Sequence, residues 1–118
     1  MDENIPRFIH EAVPGRQITL AHVIPRPKPE LYQKLGLNPK LDYSNAAIGL
    51  MTLSPAEMAI IGADIATKSA DIELGFVDRF SGTLIVTGSV SHVESTIKQI
   101  IQYAETNLKM AVCPITRT

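Results

Sequence analysis

The stretch Gly75–Gly88, GFVDRFSGTLIVTG, leaves the chain little freedom. Asp71–Val77 reads as a strand with Ile72, Leu74 and Phe76 on one face, Ser81-Gly82 is turn chemistry, and Thr83–Thr87 reads as a second strand. Two strands joined by so short a turn pair antiparallel, so a hairpin is fixed before anything else. Its tip is over-decorated for a connection. Turns need Gly and Ser for backbone reasons, but not an adjacent Asp78-Arg79 pair followed by Phe80. Read alone, the tip is a solvated turn whose charges pair locally, and only the flanking chain can change that ranking.

Upstream, Ala46–Leu53 is apolar on both faces, the mark of a strand buried centrally in a sheet. Ser54-Pro55-Ala56-Glu57 then reads as a capping box: an N-cap Ser, Pro at the first helical position and Glu at the third. The helix it opens runs to about Lys68, with Met58, Ile61 and Ile65 at helical spacing and Gly62 permitting close packing. Downstream, Gly88-Ser89 leads into a second helix with the stripe Val90, Val93, Ile97, Ile100/Ile101, Ala104 and Leu108. His92, Glu94, Lys98, Gln102 and Glu105 fall on its wetter side, and Met110–Ile115 reads as a last short strand.

The first part of the chain is less regular. Pro6–Val13 reads as a short strand closed by Pro14-Gly15. Gln17–Ile24 is a strand with Ile18, Leu20, His22 and Ile24 on one face, and Pro25-Arg26-Pro27 stops it by removing backbone donors. Pro29 opens a short helix, Glu30–Leu35, ended by Gly36, and Leu37–Asn45 is a loop. The economical solution is one α+β domain: a mostly antiparallel sheet with helices packed on one face.

Eleven basic and twelve acidic residues, net charge −1, give no electrostatic reason to bind nucleic acid or an anionic membrane. The one cysteine, Cys113, cannot form an intramolecular disulfide, which suits a cytoplasmic protein, and the N-terminus lacks the pattern of a signal peptide. Chemistry is thin. His10, His22 and His92 are scattered, and Cys113 has no CxxC partner and reads as a buried structural thiol. Asp64, Asp71, Glu73 and Asp78 do not converge at paired-carboxylate spacing, and a strand rather than a helix follows the hairpin glycines, so there is no phosphate loop. No metal, cofactor or enzymatic activity is expected. A small-ligand-binding regulatory α+β domain and a small enzyme acting through Cys113 or a histidine stay open as alternatives.

Ala46–Glu105 resembles the bacterial microcompartment (BMC) shell domain, in that family's order of strand, helix, hairpin and helix. His22-Val23-Ile24-Pro25-Arg26-Pro27 is similar to the motif that closes the family's fold, yet here it precedes the first strand. A terminal segment at the opposite end implies circular permutation, and VPGRQITLAH, GFVDRFSG and CPITRT all resemble the permuted EutS/PduU-type branch.

The resemblance implies a cyclic homohexamer that tiles with other shell proteins around encapsulated enzymes, located at a microcompartment shell in the cytoplasm. It implies a pore loop at Asp78, Arg79, Phe80, Ser81 and Gly82, and hexamer-edge positions at Lys68 and Arg26. Arg7, Phe8, Ile9, His10, Glu11, Ala12 and Val13 would form a strand of a small axial β-barrel. The chain then divides into an extension, residues 1–15, and one permuted domain, residues 16–118. A helix-end cation and a solvated Pro-Arg-Pro turn are the plain readings of Lys68 and Arg26. Asp78 and Arg79 should neutralise each other within or between subunits. Phe80, where ordinary members carry small residues, favours a narrow or capped pore that limits metabolite passage or docks cargo. EutS-like members tend to carry a glycine just before the strand equivalent to Ala46–Leu53, and Ser44-Asn45-Ala46-Ala47 departs from that pattern, so the resemblance implies a flat, symmetric ring rather than a bent one.

Overall fold

The structure is a computed structural model and describes residues 12–37, 46–69 and 71–118. In chain order the elements are β1 (Gln17–Ile24), α1 (Pro29–Leu35), β2 (Ala47–Ser54), α2 (Met58–Thr67), β3 (Ile72–Asp78), β4 (Thr83–Gly88), α3 (Val90–Asn107) and β5 (Thr116–Arg117). The strands form one sheet in the order β3-β4-β2-β1-β5. Every pairing is antiparallel except that of β5, which lies parallel to β1. β2 is central, as its two apolar faces require.

Helices α2 and α3 cover one face of the sheet. Their buried residues join Ile18, Ala21, Val23, Ala47, Met51, Leu53, Leu84 and Val86 in the main core. Fully buried side chains such as Met51, Leu84, Ile97 and Ile100 contribute about 1.5–3 kcal/mol each. α3 buries Val93, Ile97, Ile100 and Ala104 of its expected stripe. α2 differs from expectation: it turns Ala59, Gly62, Ala63 and Ala66 inward, and Met58 and Ile65 flank the core. Small residues let the helix backbone lie close to β4; a methyl on Gly62 would meet Leu84 Cδ2 at 3.0 Å. The expectation that all helices share a face is corrected for α1, whose Tyr32 packs with Leu37, Ile48 and Ile85 on the opposite face.

Two one-residue bulges shift the expected strand faces. In β1, Ile18 opposes Leu53 and Leu20 opposes Thr52, so Thr19 is extra. Ile18 therefore faces the helices with Ala21 and Val23, while Leu20, His22 and Ile24 face away, and the expected common face is divided. In β3, Leu74 opposes Val86 and Phe76 opposes Ile85, leaving Gly75 extra and placing Leu74 and Phe76 on opposite faces.

The capping box does not form at the start of α2. Ser54 stays in the ladder opposite Gln17, the Ser54–Pro55 peptide is cis, and Glu57 becomes an N-cap with no side-chain bond. Tight turn bonds replace it, with the N–H groups of Met58, Ala59 and Ile60 donating to the carbonyls of Pro55, Ala56 and Glu57. The side-chain cap is at α3 instead, where Ser89 Oγ accepts from the His92 N–H at 3.2 Å. The last strand is also displaced. Ala111 makes only an isolated bridge to Gln17, and pairing resumes beyond Pro114, at Thr116–Arg117.

Candidate functional site

The registers give the sheet two distinct ends. At one end Gln17 opposes Ser54, Thr52 opposes Thr83 and Thr83 opposes Asp78. At the other, Ile24 opposes Ile48, Ala47 opposes Gly88 and Gly88 opposes Ile72. At about 3.3 Å per residue, the six residues of β4 separate them by roughly 17 Å. The expected pore loop, Asp78–Gly82, is at the first end. Both expected edge residues are at the second: Arg26 follows β1, and Lys68 ends α2 just before β3. Their distance apart in sequence gives no hint of this sorting.

The hairpin tip is a stiff structure. Asp78 Oδ1 accepts from the Phe80 N–H at 2.8 Å, and Oδ2 accepts from the Ser81 hydroxyl at 2.8 Å. The Ser81 hydroxyl also lies 2.9 Å from Thr83 Oγ1. Those bonds, the Phe80 N–H foremost, hold the Asp78 carboxyl below the ordinary carboxylate value. The Gly82 N–H donates to Asp78 O, and Gly82 O accepts from the Leu53 N–H at 2.8 Å, fastening the tip to β2. Gly82 sits at φ +76°, and a Cβ there would run into the Leu53 carbonyl oxygen, so this position needs glycine.

The expected neutralisation of Asp78 by Arg79 does not occur within the chain. Both carboxylate oxygens serve the turn, and the Arg79 guanidinium instead lies over the Phe80 ring, 5.0 Å from its centroid. Phe80 is 81% exposed, more than any other large apolar residue described.

The N-terminal segment enters at this same end. The Val13 N–H donates to Lys109 O at 2.7 Å, Arg16 Nη1 donates to Leu108 O, and Gly15 turns the chain into β1 at φ +87°. Of the expected barrel strand, Ala12 and Val13 are described, and Arg7, Phe8, Ile9, His10 and Glu11 lie outside the described residues.

At the far end, Lys68 is the helix-end cation of the plain reading, and its Nζ also bonds Asp64 Oδ2 at 2.9 Å, with both side chains largely exposed. Arg26 is exposed and borders an open cleft with Ile24, Pro25, Arg117 and Thr118. Sequence reasoning missed several contacts here. His22 bridges the Thr116 and Thr118 hydroxyls, and Arg117 pairs with Glu94, so β5 is held from both faces of the sheet. His92 reaches Ser89 Oγ at 2.6 Å and Asp71 Oδ2 at 3.6 Å. None of these pairs has a signal in the spacing, because each joins distant elements or depends on a side-chain rotamer.

A third feature is the outer strand. β3 pairs only with β4 among the described residues, and it exposes Leu74, Phe76 and Val77, with Ile60 of α2 also exposed. A run of apolar side chains on an edge strand is a surface that proteins normally cover. Cys113 is partly buried against the main core, and burial pushes its thiol up. Among the described residues there is no group of three His, Cys, Asp or Glu side chains placed to hold a metal, and no helix is long and apolar enough to cross a membrane.

A hydrogen-bonded tip at one end, exposed cations at the other and an apolar edge strand along the side are features suited to assembly. Comparison with known proteins identifies which kind. The BMC domain profile matches residues 47–116. The chain is 46% identical over 112 residues to the bacterial microcompartment shell protein PduU of Salmonella typhimurium, covering 95% of this chain and 93% of that protein. It is 44% identical over 112 residues to the shell protein EutS of Escherichia coli K12, covering 95% and 96%. Among solved structures it is similar to a CutR flat hexamer, with a TM-score of 0.80, 42% identity, and 92% and 95% of the two chains covered. A CutR screw form gives a TM-score of 0.79 and 41% identity, with 89% and 100% covered. The chain belongs to the BMC domain family.

Proposed function

We propose that this chain is a structural shell protein whose six copies close into a ring, with the Asp78–Gly82 tip toward the axis and Lys68 and Arg26 at the rim. The observation that carries this reading is the sorting of those residues to opposite ends of one sheet. A wedge contributing one end to an axis and the other to a perimeter is what cyclic closure followed by tiling needs. The hexamers in the CutR structures support the copy number. The exposed apolar edge of β3 supplies a side that a neighbouring copy would cover. The entry of residues 12–16 beside the tip supports an N-terminal segment gathered over the axis, and the HVIPRP motif ahead of β2 supports a permuted domain. Phe80 at the tip supports a narrow or capped opening. Other shell proteins and encapsulated enzymes are the partners this role implies, and it requires no catalysis.

Native mass spectrometry with electron microscopy of assembled material tests the reading. Wild type should give six-copy rings that form sheets, and Lys68→Ala should keep the ring and lose the sheets. Loss of the ring itself in that variant would overturn the rim assignment. The exposed pair that Lys68 makes with Asp64 is worth only about 0.3–0.5 kcal/mol, so failure of Lys68→Ala to fold would not be its cause.

A further inference from the structure

We infer that Asp71 is the acceptor of Arg26 between rings: at each shared edge of a sheet, Arg26 of one ring meets Asp71 of the next, and the reverse. This deepens the ring reading and rests on its placement of Arg26 and Lys68 at the rim.

Most charges at the rim end of the sheet are committed within the chain. Asp64 is bonded to Lys68, and Glu94 is paired with Arg117. Asp71 is different. Its side chain is 72% exposed, and His92 lies 3.6 Å away, too far for a hydrogen bond. Arg26 is exposed and has no carboxylate partner among the described residues. Lys28 and Glu30, which follow it around the start of α1, sum to no net charge. Glu73 is a further exposed acid of β3, but it lies inside the ladder, opposite Thr87.

Arg26 and Asp71 are too far apart to pair within one chain. Ile72 is level with Gly88 and Ala47, so one residue further out Asp71 falls level with Ala46. Ile24 is level with Ile48, so two residues further out Arg26 falls at that same level. β3 and β1 are three strand steps apart, roughly 14 Å at about 4.8 Å per step. The two residues therefore mark two corners of one edge, with opposite charge.

Symmetry supplies the partner. Six-fold rings lying side by side in a flat layer, all facing the same way, are related across each shared edge by a two-fold axis. A two-fold contact is self-complementary, so whatever one residue meets on the neighbour, the second meets in return. With the axis midway between the corners, Arg26 faces Asp71 of the next ring and Asp71 faces that ring's Arg26. The local shapes agree. Asp71 sits on a left-handed turn at φ +63°, and Arg26 borders an open cleft with Ile24, Pro25, Arg117 and Thr118 that can admit a short carboxylate side chain. A guanidinium can then hold that carboxylate through two parallel bonds.

The competing arrangement is Arg26 against the last carbonyls of the neighbouring ring's α2, beside Lys68, which needs no carboxylate.

The critical concentration for sheet formation, followed by light scattering on intact rings at about pH 8, where histidine is ordinarily neutral, separates the two. Wild type, Asp71→Asn, Arg26→Gln and the double variant are compared, with Glu73→Gln as control and native mass spectrometry to confirm six-copy rings. Asn keeps the left-handed backbone that Asp71 adopts. Each single variant should raise the critical concentration several-fold, and the double variant should raise it no further than Arg26→Gln alone. Added salt should raise the wild-type value and leave the double variant unchanged. Glu73→Gln should match wild type. Asp71→Asn indistinguishable from wild type, or effects that add in the double variant, overturns the pair and leaves the tiling standing. A loss in Glu73→Gln as large as that in Asp71→Asn also overturns it, since the acidity of the corner at large would then be responsible. Wild-type rings that never form sheets overturn both the pair and the rim placement beneath it.

Discussion

Replacing Gly82 with alanine tests whether the tip is held as described. The substitution costs twice over. Gly82 has φ +76°, and the left-handed region disfavours an L-residue by about 1–2 kcal/mol. The new Cβ would also collide with the Leu53 carbonyl oxygen, with Ala56 Cα a further 3.2 Å neighbour. Both obstacles are backbone, so the hairpin must move away from β2. That motion strains the bond from the Leu53 N–H to Gly82 O, worth about 1 kcal/mol net. The sum is about 3 kcal/mol, well above an ordinary surface substitution. For a chain of this length, it corresponds to a fall in Tm of roughly 10–15 °C.

The assay is a thermal melt of wild type and variant at equal chain concentration, since assembly makes Tm concentration-dependent. Gly82→Asn separates the two costs, because Asn tolerates the left-handed region but still carries a Cβ. Both variants should melt well below wild type, and Asn should recover only part of the loss. A Gly82→Ala melt within about 3 °C of wild type would refute the reasoning, since that shift corresponds to less than about 1 kcal/mol. Full recovery by Asn would show that contact with the Leu53 oxygen does not matter.

Other perturbations address neighbouring parts of the account. Asp78 titrates below the ordinary carboxylate value because its ionised form accepts turn bonds, so its stabilising contribution is complete above about pH 4 and is lost as pH falls through the folded value. Asp78→Asn should therefore melt below wild type at pH 7, and the gap should close in acid; a gap that widens in acid would contradict the assignment. Changing Leu74 and Val77 together to Glu should leave a folded chain with normal helix content that no longer forms rings by size-exclusion chromatography; intact rings would place the neighbouring copy elsewhere. Ile97→Ala removes a fully buried side chain from the main core and should cost about 2–4 kcal/mol in denaturant unfolding, whereas a loss below about 1 kcal/mol would mean that α3 packs otherwise.

The sequence carried some of this architecture clearly and hid the rest for physical reasons. An apolar run such as Ala47–Leu53 has only one comfortable place, between two other strands, and β2 is there. The period of α3 and the turn residues at Ser81-Gly82 were equally unambiguous. Bulges left no such trace: one extra residue at Thr19 or Gly75 reverses the side chains that follow, and alternation cannot register an insertion that the partner strand imposes. The capping box at Ser54 is a sound local pattern that lost to strand pairing with Gln17. For the candidate site, the odd chemistry of Asp78-Arg79-Phe80 was visible, but its internal wiring was not. Charge adjacency suggested an ion pair, whereas the turn offered Asp78 an N–H and a hydroxyl at better geometry. The sorting of Arg26 and Lys68 to the end opposite the tip required the registers themselves.

That sorting is the central claim, and site-directed crosslinking tests it most directly. On a Cys113→Ser background, a cysteine at Ser81 and a cysteine at Arg26 are compared in isolated rings using a short bismaleimide. Ser81→Cys should yield covalent ladders extending to six chains, while Arg26→Cys should link chains only after rings have assembled into sheets. Ladders from Arg26→Cys in isolated rings, with none from Ser81→Cys, would reverse axis and rim and contradict the account.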